Sequence, residues 1–174
     1  MPRSITKHLV AIASVGIALT IAISAADLNK SLQDTEGRKR TAESGLAKIK
    51  AKSAADVEAV RAAYDQAASQ NNAWLDVVVQ SVDQPATAAP NVAATVDGAA
   101  SAFVKWVATR NRALGEFELT GTAAESVKKK VAMDLTDVAT EAWKSNRQRD
   151  ANKRSAFTKL LSERLRWKTW DLVQ

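Results

Sequence analysis

The chain of 174 residues contains no cysteine, one histidine, three prolines and six glycines. The absence of cysteine excludes disulfides, thiolate metal sites and cysteine nucleophiles. His8 has no second histidine or cysteine with which to share a metal ion, so we interpret it as a solvated residue beside Lys7. Scarce glycine and proline, in a chain rich in alanine and charged residues, favour long helices, because a β-sandwich needs many turn residues. The sequence therefore predicts an all-α protein.

Sequence motifs typical of enzymes are also missing. The chain has no glycine-rich phosphate loop and no Gly-x-Ser-x-Gly sequence. A serine, threonine or lysine nucleophile would have no obvious base. Glu116 and Glu118 would point about 200° apart on a helix, so they do not suit a paired-carboxylate or metal site. We expect no enzymatic activity, no cofactor and no metal.

An uncharged run of 18 residues, 9–26, follows Arg3 and Lys7. As a helix it would be ~27 Å long, which is enough to cross the hydrocarbon core of a bilayer. The flanking cations favour a cytoplasmic N-terminus, with the body in the periplasm as part of a single-pass inner-membrane protein. The alternative is a signal peptide cleaved before Asp27, because the Ser-Ala-Ala of residues 24–26 suits such a cut. Both interpretations place the body outside the cytoplasm.

The body divides into a stalk and a bundle. Residues 33–41 are polar all round, which favours a solvated helical stalk. After it, small and apolar residues recur in steps of three and four, at Val57, Val60, Tyr64, Ala67, Asn71, Trp74 and Val78. This row predicts a coiled-coil-like helix or bundle seam, in which Asn71 either fixes the register or lies at a water-facing rim. We therefore predict an anchor at 1–26, a stalk at 27–54 and an extracytoplasmic bundle at 55–174.

Two breaks and a turn divide the bundle into helices. Pro90 suits the first turn of a helix, and Asn91 suits its N-cap if the helix begins one residue later. Thr122 and Glu125 have the spacing of a capping box. If the chain also turns near 146–152, an antiparallel bundle forms from helices at 55–82, 91–115, 123–145 and 152–173. Without that turn the last helix would be about 50 residues long. The sequence leaves open whether the bundle also pairs with a second copy in a homo-oligomer.

The net charge of +6 belongs to the C-terminal segment. Residues 144–174 carry nine basic and three acidic side chains, whereas residues 1–143 carry 16 of each. As a helix the end of the chain would mix apolar residues and cations on one face, which predicts contact with a protein partner or an anionic membrane surface. The predicted contact residues are Arg154, Phe157, Leu160, Leu161, Arg164, Leu165, Arg166, Trp167, Lys168 and Trp170. The alternative is a fourth bundle helix whose charges only reach solvent. Nucleic acid is not an expected partner outside the cytoplasm.

A central stretch resembles the signature of the LemA family. The matching residues are Ala73-Trp74, Val77, Gln80, Pro90-Asn91-Val92, Thr95-Val96 and Gly98-Ala99, followed by Val107, Arg110 and Ala113. The family's arginine-rich run before the proline and its aromatic C-terminal signature are missing from this chain. The resemblance implies a bacterial, membrane-anchored helical bundle without known catalysis.

Together these patterns predict a non-enzymatic scaffold or bridging protein, LemA-like, anchored in the inner membrane and acting outside it. A phage spanin-like lysis protein shares the layout of one anchor, an extended stalk and a basic end. A secreted helical binding module follows if the leader is cleaved.

Overall fold

The computed structural model describes residues 28–46, 49, 53–84 and 88–172. Regular structure in these ranges is helical throughout, which confirms the all-α prediction. The helices are α1 (28–45), α2 (Ala54–Asp83), α3 (Ala93–Leu114), α4 (Gly121–Asn146) and α5 (Ala151–Leu165), followed by a short 3-10 turn at Trp170–Leu172. The predicted anchor, residues 1–26, lies outside the described residues. Among the helices of the described ranges, none is both long and apolar enough to cross a membrane.

The predicted seam of α2 forms the middle of the bundle. Val60, Tyr64, Trp74 and Val78 are completely buried, and Asn71 is buried with them. Their spacing of three and four residues keeps them on one stripe of the helix, which α3, α4 and α5 cover from different sides. The periodicity read from the sequence is therefore confirmed for α2, and this stripe packs within one chain.

A glycine with a left-handed backbone conformation stands at each end of the connection between α3 and α4. Gly115 has φ 68°, and its N–H bonds to the carbonyl of Arg112, so α3 ends in the conformation that glycine adopts most easily. Gly121 has φ 54° and begins α4. The predicted capping box at Thr122 is wrong, because the helix begins before that residue and its N-cap, Thr120, makes no side-chain capping bond.

The start of α3 also differs from the prediction. The helix begins at Ala93 behind Val92, so neither Pro90 nor Asn91 takes the position expected from the sequence. The Asn91 side chain accepts a long 3.4 Å bond from the Ala93 N–H. Val92 is buried in the core, and this burial fixes where the helix begins in place of a polar cap.

The prediction of a solvated stalk over 27–54 is wrong for the described part of that range. Leu28, Leu32, Ala42 and Leu46 are all buried against the rest of the bundle. The polar residues between them have partners far along the chain, which periodicity cannot reveal. Arg38 donates to Asp134 of α4 at 2.6 Å. Residues 28–46 are therefore an integral helix of the bundle.

The core has two parts that follow one another along the bundle. The first joins Leu28 and Leu32 to the second half of α2 and the start of α3, in a cluster that includes Trp74, Leu75, Val78, Val82, Val92 and Val96. The second joins the end of α1 to the first half of α2 and to three tryptophans from α3 and the C-terminal segment. It includes Ala42, Leu46, Ile49, Val60, Tyr64, Trp106, Trp167 and Trp170. Because α1 contributes to both parts, its packing spans most of the bundle.

The turn predicted near 146–152 is confirmed. Residues 147–150 are not helical, and Asp150 caps α5 by accepting a 2.9 Å bond from the Lys153 N–H. The predicted end of the last helix, residue 173, is wrong. The helix α5 ends at Leu165, and Arg166 adopts an extended backbone conformation. The final residues therefore pack as a non-helical segment.

Candidate functional site

The predicted contact residues do not share one exposed face. Leu161, Leu165, Trp167 and Trp170 are all at least 94% buried. Arg154, Phe157 and Arg164 are half-buried, while Leu160, Arg166 and Lys168 are exposed. The prediction of a single apolar and basic contact face is therefore wrong, because the chain's own core covers most of its apolar side chains.

Two neighbouring asparagines of α2 hold the C-terminal segment in place. Asn71 donates to the Leu165 carbonyl at 3.0 Å. Asn72 both accepts from the Trp167 N–H at 2.9 Å and donates to the Trp167 carbonyl at 3.1 Å. These bonds satisfy backbone groups that would lose their partners where α5 ends. Asn71 is buried, so the interpretation of a water-facing rim position is wrong; whether it also fixes the register of a seam stays a prediction.

An aromatic cluster surrounds the segment that Asn71 and Asn72 hold. Trp167 lies 5.5 Å from Tyr64 and 6.3 Å from both Phe103 and Trp106, measured between ring centroids. Tyr64 donates from its hydroxyl to the Lys168 carbonyl at 3.1 Å, and burial raises the pKa of that hydroxyl well above its usual range. The rings therefore join the end of the chain to α2 and α3.

Cations that were expected to reach a partner form ion pairs inside the molecule. Arg164 contacts Glu36 of α1 at 2.6 Å, Arg166 contacts Asp76 of α2 at 2.5 Å, and Arg61 contacts Asp171 at 2.8 Å. The hydrogen bond from Arg164 lowers the pKa of Glu36, and Arg40 adds to the effect. Arg164 and Arg166 are therefore neutralised within the molecule, whereas Arg61 is a cation of α2 that pairs with an acid of the C-terminal segment.

The pair between Arg164 and Glu36 leads to a pH-dependent prediction. Since the pKa of Glu36 is lower in the folded chain than its ordinary value of 4.5, its contribution to stability is complete above about pH 4.5 and is lost as the pH falls through the folded value. The variant Glu36→Gln should therefore lose stability relative to the native chain at neutral pH, and the difference should shrink in acid. Urea unfolding between pH 3 and pH 7 measures this. Arg164→Gln is the matched variant and should give the same pH profile; parallel curves at all pH values would contradict the prediction.

The turn between α4 and α5 carries most of the remaining exposed positive charge at that end of the chain. Lys144, Arg147, Arg149 and Lys153 are all exposed. Arg147 lies over the Trp143 ring with 5.2 Å to its centroid, and Arg149 over the Phe157 ring with 5.8 Å. These cations were counted in the sequence as part of a basic tail but were not chosen as contact residues. The polar run 144–154 between two apolar helices was the signal for an exposed turn.

Cavities in the described ranges are small or shallow. One of about 20 Å³ lies among α1 to α4 beside Arg38 and Asn71, which is room for about one water molecule. A wider groove of about 410 Å³ is lined by Phe103, Val127 and Val131. In the part of the chain that the structure describes, no three acidic or histidine side chains are placed to hold a metal ion. The predictions that the protein takes no metal and catalyses no reaction stay predictions.

No protein-family model, curated protein or solved structure matches this chain. The resemblance to the LemA family therefore stays a prediction. The residues that carry it have structural roles here: Trp74 is completely buried, and Val92 and Val96 lie in the same core cluster. Packing alone accounts for these three positions.

Proposed function

We propose that this protein is a non-enzymatic helical scaffold that is anchored in the cytoplasmic membrane by residues 9–26 and acts by contact on the outer side of that membrane. One observation carries the proposal: the uncharged run ends at residue 26, and Leu28 is already buried in the core. With only Asp27 between them, the anchor and the bundle are joined almost directly. The bundle is therefore held against the membrane surface.

The short junction between the anchor and the bundle disfavours a spanin-like protein but not a secreted module. A spanin-like protein needs an extended stalk to cross the periplasm, and residues 28–46 belong to the bundle instead. A secreted module released by cleavage before Asp27 keeps every buried residue of α1, so its fold would be the same. Anchored and released forms therefore differ in where the protein is found, and this is what the experiment must measure.

The test is fractionation of cells that express the full chain, combined with intact mass. We expect the full-length mass in the membrane fraction after carbonate extraction. A Gln148→Cys variant should react with a membrane-impermeant maleimide in intact spheroplasts, because the chain has no other cysteine and the body is expected outside. A chain lacking its first 26 residues in the soluble fraction would favour the secreted module. A full-length chain in the cytosol would contradict both.

A charge placed in the run provides the matched comparison. Ile17→Arg puts a cation near the middle of residues 9–26, at a cost of about 2.5–3.5 kcal/mol for insertion. We expect this variant to leave the membrane fraction. Leu160→Arg adds the same charge at a position that is 45% exposed on α5 and should not change the fraction. Equal behaviour of the two variants would show that the run does not anchor the chain.

A further inference from the structure

Contacts of α1 fix its direction in the bundle. Arg38 lines a cavity with Ala99 near the start of α3, whereas Gly45 lies against the side chain of Arg110 near the end of α3. The two helices are therefore parallel. From residue 45 back to residue 28, a helix covers about 25 Å. Leu28 thus lies toward the end of the bundle where α3 begins, which we call the anchor end.

The turn between α4 and α5 lies at the same end. Gln66 of α2 accepts from Lys105 of α3, and the short loop between α2 and α3 makes these helices antiparallel, so α2 finishes at the anchor end. Arg154, near the start of α5, donates to the carbonyl of Asp83, the last residue of α2, at 3.3 Å. The residues just before Arg154 therefore project from the anchor end.

This turn is strongly basic, and two of its cations have no acidic partner in the part of the chain that the structure describes. Lys144 pairs with Glu141 and Lys153 with Asp150. Residues 144–154 contain five basic side chains and one acid, Asp150. Within the described ranges, Arg147 and Arg149 form no ion pair with a carboxylate, and each lies over an aromatic ring instead. Two guanidinium groups without counter-charge therefore remain at the surface, beside Lys144 and Lys153.

The loop between α3 and α4 lies at the opposite end of the bundle and is acidic. Residues 115–125, which join α3 to α4, contain three glutamates and no basic residue. The 26 residues of α4 separate the two ends by about 39 Å. This distance is several times the Debye length of about 10 Å at 0.1 M salt, so a charged surface at one end acts on that end alone.

We propose that the α4–α5 turn rests on anionic phospholipid headgroups at the membrane from which the anchor emerges. This inference rests on the proposed function, because the anchor is what brings the anchor end to the bilayer. Each Lys or Arg near an anionic surface strengthens binding by about fivefold. Charge and tether therefore select one orientation, with the helices standing on the membrane.

The test uses the full chain reconstituted into vesicles, with one fluorophore at Gln148→Cys or, as the control position, at Phe117→Cys. Phe117 is 74% exposed in the acidic loop. The vesicles contain a headgroup-labelled nitroxide lipid and either phosphatidylglycerol with phosphatidylcholine or phosphatidylcholine alone. We expect several-fold stronger quenching at 148 than at 117 in anionic vesicles. The difference should disappear in neutral vesicles and in 1 M salt, where the Debye length is about 3 Å.

Charge variants show whether the turn itself is responsible. Arg147→Gln with Arg149→Gln should weaken docking by about 25-fold, since each cation contributes about fivefold. Arg112→Gln with Lys129→Gln removes the same charge from exposed positions away from the turn and should leave the quenching at 148 unchanged. Thermal unfolding of both variants checks that the bundle is intact.

The outcomes separate this inference from the proposed function. A chain that does not float with the vesicles contradicts the proposed function, whatever the quenching. A chain that floats but shows equal quenching at 148 and 117, or quenching that is the same in neutral lipid, overturns the headgroup contact and leaves the anchor intact. Crosslinking of position 148 in cells to an acidic protein, with no quenching by lipid, would overturn it in favour of a protein partner.

Discussion

Replacing Trp167 by alanine is expected to lower the free energy of unfolding by about 3–5 kcal/mol, the range for removing a large aromatic side chain from a core. Trp167 is only 6% exposed, although it follows the last helix and belongs to no regular element. Its ring lies among Tyr64, Phe103 and Trp106, so the substitution leaves a cavity that three aromatic side chains line. The effect should be large because these rings are held by helices that cannot all move inward.

Chemical denaturation of Trp167→Ala and of the control Phe117→Ala measures this effect. Phe117 is also aromatic and also outside a helix, but it is 74% exposed, and its removal should change stability by less than about 0.5 kcal/mol. Losses of similar size for the two variants would mean that the C-terminal segment does not pack as described. A change in the denaturant slope for Trp167→Ala alone would show that the segment detaches before the bundle unfolds.

The second large effect is expected for Arg38→Ala. Arg38 and Asp134 form a 2.6 Å ion pair with 18% and 10% of their side chains exposed. Breaking a buried pair from one side leaves an uncompensated charge, which costs about 3–5 kcal/mol. We expect a value near the lower limit, about 3 kcal/mol, because Lys130 also reaches Asp134 at 3.2 Å.

A neighbouring residue supplies the control. Arg40 pairs with Glu36 at 2.7 Å, but 75% of its side chain is exposed, so Arg40→Ala should cost less than about 0.5 kcal/mol. Replacing both members of the buried pair by apolar residues, Arg38→Met with Asp134→Leu, should recover much of the loss, since no unpaired charge then remains. Equal unfolding curves for Arg38→Ala and Arg40→Ala would show that α1 does not pack against α4.

Periodicity predicted what each helix buries but not where every helix ends. In α2 the stripe from Val60 to Val78 needs only local spacing, so it could be read from the sequence. The end of α5 could not, because Asn72 of a distant helix binds the backbone at Trp167 in place of a further helical turn. Nothing in residues 152–173 themselves encodes that competition.

Residues 33–41 are a second case in which the local sequence could not predict the packing. A helix that is polar all round is typical of a solvated stalk when only its own residues are considered. Arg38 and Glu36 are nevertheless covered, because their partners lie 96 and 128 residues further along the chain. Long-range charge pairs leave no periodic pattern in the sequence, so the burial of this helix could not be predicted from it.

Hydrogen exchange of the full chain in vesicles tests most directly whether residues 28–46 belong to the bundle. Amides of a packed helix exchange through larger opening events than those of a solvated one. If α1 is part of the core, peptides from 28–46 should be protected nearly as strongly as those from 60–78 of α2, and Trp167→Ala should weaken both together. Rapid exchange confined to 28–46, with α2 to α5 still protected, would mean that this stretch is a solvated stalk and that the bundle stands away from the membrane.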